Sequence, residues 1–108
     1  MGTAIDPMTR KFRLANITGG LSGPAVKPIA LRMVYEVHKA VDVPIIGMGG
    51  IMNAMDAVEF IIAGATAVAV GTGTFVNPLL AIDVIDGIEK YLKNMKFNTI
   101  KEIIGSVE

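Results

Sequence analysis

Along the chain, short unbroken apolar runs alternate with longer stretches in which apolar residues recur every three or four positions. The first such stretch predicts a helix over residues 24–41, since Ser22 offers an N-cap hydroxyl and Pro24 suits the first helical turn. Its expected buried face consists of apolar residues at helical spacing, namely Val26, Ile29, Met33, Val37 and Val41. Residues 1–21 lack this pattern and are expected to form a loop or a short irregular strand.

Two short runs without polar alternation follow and are typical of strands covered on both faces. Residues 43–47 form the first run, which ends at Gly49-Gly50, and residues 67–70 form the second, which ends at Gly71-Thr72. Pro44 fits this interpretation because a proline at the first residues of a strand need not break a ladder hydrogen bond. We therefore expect these runs to pair in a parallel sheet.

Capping and stop signals bound three further helices. They are Asn53 and Gly64 for the second helix, Asn77-Pro78 at the start of the third, and Thr99, Glu102 and Gly105 for a last short one. The expected apolar faces are Ala57, Val58, Ile61 and Ile62 on the second helix, and Ile82, Ile85, Ile88 and Leu92 on the third. Strands that alternate with helices predict an α/β fold built from βαβ crossovers.

The composition is unusually apolar for so short a chain. Hydrophobic residues make up 52% of the 108 residues, and 12 glycines add to that share. A small domain buries a smaller fraction of its surface than a large one. We therefore expect the chain to bury its apolar surplus against copies of itself, as a homo-oligomer, or against further sequence.

Charge and residue types exclude several classes of function. Ten basic residues balance ten acidic ones, so no nucleic-acid partner is expected. With no cysteine and one histidine, His38, neither a metal site nor thiol catalysis is expected, and His38 is interpreted as a surface residue. Asp83 and Asp86 are more typical of a solvated helix face than of an acid pair. No signal peptide or membrane span is visible, which favours a cytoplasmic location.

The glycine-rich turns after the two predicted strands are the strongest candidates for a binding site. The carboxyl ends of parallel strands meet at one edge of a sheet, so the Gly49-Gly50 and Gly71-Thr72 turns are expected to lie side by side. Glycine permits close approach to a ligand, and N–H groups at a helix entrance attract an anion, most often phosphate. Either turn alone could simply terminate a strand, whereas the matched pair favours a phosphate site. The cluster at residues 19–25 is a weaker signal of the same kind.

Three segments give the chain a resemblance to a known family. ANITGGLSGPAVKP, PIIGMGGI and AVAVGTGTF resemble the C-terminal part of dihydroorotate dehydrogenases, most closely the class 1B flavoprotein subunit that passes electrons towards NAD. The resemblance extends over essentially the whole chain. It implies the C-terminal portion of a (β/α)₈ TIM barrel that uses FMN to oxidise dihydroorotate to orotate in pyrimidine biosynthesis. By position it implies FMN contacts, chiefly to the phosphate and ribityl end, from Gly23, Gly49, Gly50, Gly71 and Thr72.

The chain also departs from the pattern of the family. GTGTF stands where GTANF is common and ANITGG where ANGTGG is common, and neither change removes a matched FMN contact. The larger difference is length, because a whole barrel needs about 250 residues. The family's catalytic-base cysteine, flavin-contacting lysine, substrate-binding asparagines and Asn-Thr pair have no counterpart here, so no catalytic residue is assigned.

These observations predict a single partial domain, with an irregular segment over residues 1–21 and the last βα units of a barrel over residues 22–108. The resemblance also implies a partner subunit that carries FAD and an iron–sulfur cluster. The chain alone is expected to be inactive. Two alternatives stay open: a free-standing, non-catalytic half-barrel module that binds FMN or another phosphate, and an oligomer that covers its strand edges by swapping elements.

Overall fold

A computed structural model describes all residues from Met1 to Glu108 and contains four helices and four short strands. The strands are β1 (Ile5–Asp6), β2 (Lys11–Phe12), β3 (Ile46–Met48) and β4 (Ala67–Ala69). The helices are α1 (Lys27–Ala40), α2 (Ala54–Ala63), α3 (Gly73–Val76) and α4 (Leu80–Asn94), with 3₁₀ turns at Pro24–Val26 and Ile100–Glu102. No helix is long and apolar enough to cross a membrane.

Strands β3 and β4 form the predicted parallel pair, with Gly47 opposite Val68. The crossover between them is α2, which packs its Phe60 ring against Gly47. Gly47 is therefore buried, whereas Ile46 is 62% exposed and Met48 is 59% exposed. The expectation that both faces of this strand are covered is wrong for this chain, because its own helices cover one face only.

The first helix has the predicted extent but a different buried face. Val34 is its one fully buried residue, and Ala30 and Leu31 pack partly buried against the core. Four of the five expected core residues are exposed instead, namely Ile29, Met33, Val37 and Val41. The difference has a simple cause: α1 contacts α2 and β3 along the Ala30–Val34 side, and no element of the chain covers the neighbouring apolar side. The predicted cap is also wrong, since Gly23 and not Ser22 precedes the first turn.

The second helix forms the centre of the core and follows the prediction closely. Asn53 caps it by accepting a hydrogen bond of 2.9 Å from the backbone N–H of Asp56. Gly64 ends it with a φ of 124°, a backbone conformation that side chains rarely adopt. Its buried residues are Ala57, Val58, Phe60, Ile61 and Ala63, to which Ile62 adds a partly buried side chain.

The predicted third helix is present as α4, which begins at Leu80, three residues after the predicted cap. Asn77 does accept a hydrogen bond of 3.0 Å from the N–H of Leu79. The short α3, which precedes Asn77, was not predicted. The core side of α4 consists of Leu80, Val84 and, partly, Ile88, whereas the expected Ile82 and Ile85 are exposed. The reason is the same as for α1, since α4 packs on α2 with one side and leaves the other uncovered.

The two ends of the chain differ in how they are attached. Residues 1–19 form the β1–β2 antiparallel hairpin, closed at its base by reciprocal hydrogen bonds between Gly2 and Gly19. At the other end, Thr99 and Glu102 form the predicted capping box. The chain then returns to α2, where the N–H of Gly105 donates to the carbonyl of Ile61 over 3.0 Å.

Candidate functional site

A cavity of about 330 Å³ opens at the carboxyl ends of β3 and β4. Three segments line it: residues 22–23 before α1, residues 48–52 after β3, and residues 69–73 after β4. The five residues selected from the sequence all lie on its wall, namely Gly23, Gly49, Gly50, Gly71 and Thr72. The structure thus brings together glycine turns that are far apart in the sequence.

The turn after β3 requires glycine for two physical reasons. Gly49 and Gly50 have φ values of 119° and 76°, which a residue with a Cβ adopts only with strain. There is also no room, because a Cβ on Gly50 would lie 2.6 Å from the carbonyl oxygen of Gly23. A Cβ on Gly49 would lie 2.9 Å from the Cβ of Ala30. These glycines therefore allow the turn to pack directly on the start of α1.

The turn after β4 continues into α3, and its third residue was missed by the sequence analysis. Gly73 is buried, and a Cβ there would lie 2.9 Å from the carbonyl oxygen of Ile51, so this glycine joins the two turns. Gly73 is the second glycine of the GTGTF segment, and that glycine was the sequence signal that could have indicated its role. Thr72 precedes α3 without a side-chain capping bond, while the Thr74 hydroxyl donates to the carbonyl of Gly71 over 2.7 Å.

The backbone of these segments carries a set of uncommitted hydrogen-bond donors. Of the cavity-wall residues outside the helices and strands, eight have a backbone N–H group with no hydrogen-bond acceptor in the chain: Ser22, Gly23, Gly49, Gly50, Ile51, Val70, Gly71 and Thr72. Backbone donors are paired almost everywhere in folded proteins. A concentration of unpaired donors around one cavity, next to the start of two helices, is suited to an anion.

Charged side chains take no part in the cavity wall. Lys27, whose backbone lies against Gly50, directs its ammonium group to Asp56 over 2.6 Å and to Glu59 over 3.0 Å. Its hydrogen bonds, first to Asp56 and then to Glu59, raise the pKa of the lysine above its ordinary value. Burial acts to raise the pKa of Asp56, but hydrogen bonds from Lys27 and from the N–H of Met52 outweigh it, so the pKa of this carboxyl is lowered.

The side chains on the cavity wall define what the site can do. Apart from glycine they are the hydroxyls of Ser22 and Thr72 and apolar or thioether groups, so the wall offers no acid, base or thiol. No group of three or more His, Cys, Asp or Glu side chains is arranged to hold a metal ion. The site can therefore bind an anionic group through amides and hydroxyls, but its own residues offer no proton transfer.

Parallel strands joined by a crossover helix, with glycine turns at their carboxyl ends and a short extra helix after the last turn, are the arrangement of β/α-barrel proteins with a phosphate site. Comparison with known proteins defines the family further. The family model described as dihydroorotate dehydrogenase matches residues 1–92. The chain belongs to the dihydroorotate dehydrogenase family.

Curated relatives and solved structures agree with this assignment. The chain is 62% identical over 107 residues to the catalytic subunit of dihydroorotate dehydrogenase B (NAD⁺) from Alkaliphilus metalliredigens, covering 99% of this chain and 35% of the relative. The same subunit from Lachnoclostridium phytofermentans is 58% identical over 107 residues, covering 99% of this chain and 36% of the relative. The chain thus spans about a third of the length of these relatives.

The fold has the same counterpart among solved structures. The DHODH of Eimeria tenella in complex with ferulenol superimposes with a TM-score of 0.79 at 32% identity, covering 97% of this chain and 29% of that one. The ligand-free form of that protein gives a TM-score of 0.78. The predicted α/β class is confirmed, and the chain has the fold of a part of a dihydroorotate dehydrogenase.

Proposed function

We propose that this chain supplies the part of an FMN-dependent dihydroorotate dehydrogenase that holds the phosphate and ribityl end of FMN. The parent enzyme would be a cytoplasmic (β/α)₈ barrel that oxidises dihydroorotate to orotate in pyrimidine biosynthesis. This chain would form the C-terminal portion of that barrel. The observation that carries the proposal is the convergence of three glycine segments on one cavity whose backbone N–H groups are unpaired.

The donor set suits a phosphate monoester. Amide donors from the turns after β3 and β4, with that of Gly23 from the segment before α1, would surround the phosphate oxygens, and the Ser22 and Thr72 hydroxyls would add two further donors. A hydrogen bond to a charged group contributes about 1.5–3 kcal/mol net. Several such bonds are enough to hold a phosphate without a cationic side chain, and none lines the cavity.

In the parent enzyme, these residues would bind the cofactor, and other parts of the protein would carry out the chemistry. FMN supplies, when bound, the isoalloxazine ring that accepts a hydride. The residues of this chain bind and orient the other end of the molecule, and they provide no base for proton abstraction. The longer protein would contribute the catalytic base and the substrate-binding residues. Its assembly would include a partner subunit that carries FAD and an iron–sulfur cluster.

A titration with two flavins tests the proposal. FMN and riboflavin share the isoalloxazine ring and ribityl chain and differ only in the phosphate, so a phosphate cradle should bind FMN at least tenfold more tightly. Quenching of flavin fluorescence by the purified chain measures both dissociation constants. Equal affinity for the two flavins, or no binding of either, would overturn the proposal.

An assay of turnover tests the second half of the proposal. Incubated with FMN, dihydroorotate and an electron acceptor, the chain should produce no orotate, because no residue on its cavity wall can act as a general base. Steady-state formation of orotate above the level of free FMN would show that the chain contains catalytic groups of its own.

One structural observation favours a second candidate, a non-catalytic flavin-binding oligomer. The open face of β3 and the outer sides of α1 and α4 expose large apolar residues, including Ile46, Met33 and Ile85. Copies of the chain could cover these surfaces by closing a shared barrel. Native mass spectrometry with excess FMN distinguishes the two candidates: a closed oligomer that retains FMN favours the module, and a monomer that retains FMN excludes it.

A further inference from the structure

Two walls of the cavity touch each other directly at glycine positions. Gly50 lies against the carbonyl oxygen of Gly23 and the backbone nitrogen of Lys27. A Cβ on Gly50 would lie 2.6 Å from the oxygen and 2.9 Å from the nitrogen. A glycine contact excludes a side chain but contributes little attraction of its own. Ile51 anchors the turn after β3 in the core cluster that also contains Val34 of α1, and a polar group adds a directional link between this turn and the first turn of α1.

Asp56 bridges these two walls with its two carboxylate oxygens. Oδ1 lies 2.6 Å from Nζ of Lys27, the first residue of α1, and Oδ2 accepts a 2.9 Å hydrogen bond from the backbone N–H of Met52. Its side chain is 13% exposed, so water competes little for either bond. One carboxylate thus joins the end of the glycine turn to the segment that carries Gly23.

We propose that Asp56, paired with Lys27, is a positioning residue for the phosphate cradle: it fixes the distance between the amide groups of the 48–52 turn and those of the 22–23 segment. This inference rests on the proposed function and identifies a residue behind the cavity wall that sets its affinity. Asp56 does not line the cavity, so its role is to position the wall from behind.

The charge arrangement supports this role over direct phosphate binding by Lys27. The lysine ammonium is shared between two carboxylates, and both hydrogen bonds raise its pKa, so it stays charged and engaged with them. The lysine is thereby held by α2 on the side away from the cavity wall, to which it does not contribute. An ion pair of this kind can fix geometry without offering its charge to the ligand.

Glu59 provides a matched control within the same network. The Oε1 atom of Glu59 lies 3.0 Å from Nζ of Lys27, but Glu59 makes no hydrogen bond to the glycine turn and its side chain is 46% exposed. Glu59→Gln therefore removes a carboxylate from Lys27 without releasing Met52. Asp56→Asn removes the carboxylate that connects Lys27 to Met52.

The test measures dissociation constants of FMN and riboflavin for the chain and three variants by fluorescence quenching, with far-UV circular dichroism as the check on folding. Asp56→Asn should weaken FMN binding by roughly tenfold and leave riboflavin binding unchanged, because only the phosphate depends on the spacing of the amides. Glu59→Gln should match the original chain with both flavins. Lys27→Met keeps the Asp56–Met52 bond and should give an intermediate loss for FMN; it also serves if Asp56→Asn fails to fold.

The outcomes separate the inference from the function on which it rests. If the original chain does not prefer FMN to riboflavin, the proposed function fails and the inference fails with it. If it does prefer FMN but both Asp56→Asn and Lys27→Met keep that preference, the positioning role alone is wrong. An equal loss for FMN and riboflavin in the folded variants also overturns the inference, because it would reflect general loosening of the site.

Discussion

The α-carbon of Gly50 packs on the carbonyl oxygen of Gly23, so closely that a Cβ would lie 2.6 Å from that oxygen. The two residues are separated by the whole of α1 and β3. Their contact joins the turn after β3 to the approach of α1 and defines one corner of the cavity.

Gly50→Ala should damage both folding and binding. The added Cβ would meet Gly23 and the backbone nitrogen of Lys27, and the φ of 76° is strained for alanine. We expect the free energy of unfolding to fall by about 1–3 kcal/mol and FMN affinity to fall at least tenfold. Thermal denaturation and flavin titration measure the two effects. Gly20→Ala is the control, since no atom lies within 4 Å of its Cβ position; a Gly50→Ala variant as stable as this control would contradict the packing argument.

Gly71→Ala should separate binding from stability. A Cβ on Gly71 would meet no atom of the chain within 4 Å, and its backbone does not have a positive φ, yet this residue lines the cavity. We expect the free energy of unfolding to change by no more than about 0.5 kcal/mol. FMN affinity should fall by roughly tenfold because the methyl group reduces the space at the wall. Unchanged affinity for FMN would show that the ligand does not approach this turn.

The Lys27–Asp56 pair predicts a characteristic dependence of stability on pH. The pKa of Asp56 is lowered from 3.8 on folding, so its contribution is present above that value and is lost as the pH falls through the lower folded pKa. The pKa of Lys27 is raised from 10.5, so its contribution is present below that value and is lost as the pH rises through the higher folded pKa. The pair therefore contributes throughout the neutral range.

The measurement is the melting temperature of the chain and of Asp56→Asn from acid to alkaline pH. The difference between them should be constant in the neutral range and should shrink below about pH 4, where the carboxyl of the unfolded chain becomes protonated. Asp6 and Glu89 also have lowered pKa values, so some loss of stability in acid should persist in the variant. A difference that grows towards acid pH would contradict the ion pair.

Gly64→Ala tests the packing of the opposite end of the sheet. A Cβ on Gly64 would collide with the imidazole ring of His38, and the φ of 124° adds strain, so we expect a loss of about 2–4 kcal/mol in the free energy of unfolding. His38→Ala in the same chain should restore the part due to the ring; it should leave the part due to φ and the part due to the Cβ of residue 38, which would lie 2.5 Å from the added Cβ. Chemical denaturation of the single and double variants separates the part due to the ring from the rest; strict additivity would exclude a contact between these residues.

Local signals made the meeting of the two glycine turns predictable from the sequence. Gly49-Gly50 and Gly71-Thr72 each follow a short apolar run, and parallel pairing of the two runs is enough to bring both turns to one edge. The caps at Asn53 and Thr99 were equally clear because each depends on residues within one helical turn. The caps are decided by contacts close in sequence, and the two turns need only the pairing of β3 with β4, so residue type and spacing suffice.

The buried helix faces were not predictable in the same way. Apolar residues run around more than one side of α1 and α4, and the spacing alone does not say which side meets α2. Met33 and Ile82 fit the periodic pattern as well as Val34 and Val84, yet only the last two are buried. The role of Gly73 was missed for a related reason, because its need for glycine comes from Ile51, which reaches it only through the fold.

The reciprocal hydrogen bonds between Gly2 and Gly19, 2.8 Å and 2.9 Å long, have a consequence for how this sequence can change. They bring the two ends of the hairpin segment together at its base, so the tip at Met8 can be lengthened or replaced without altering the path of the chain into α1. The turn between β1 and β2 is therefore the part of the first 19 residues in which we expect changes of length and residue type to be tolerated best.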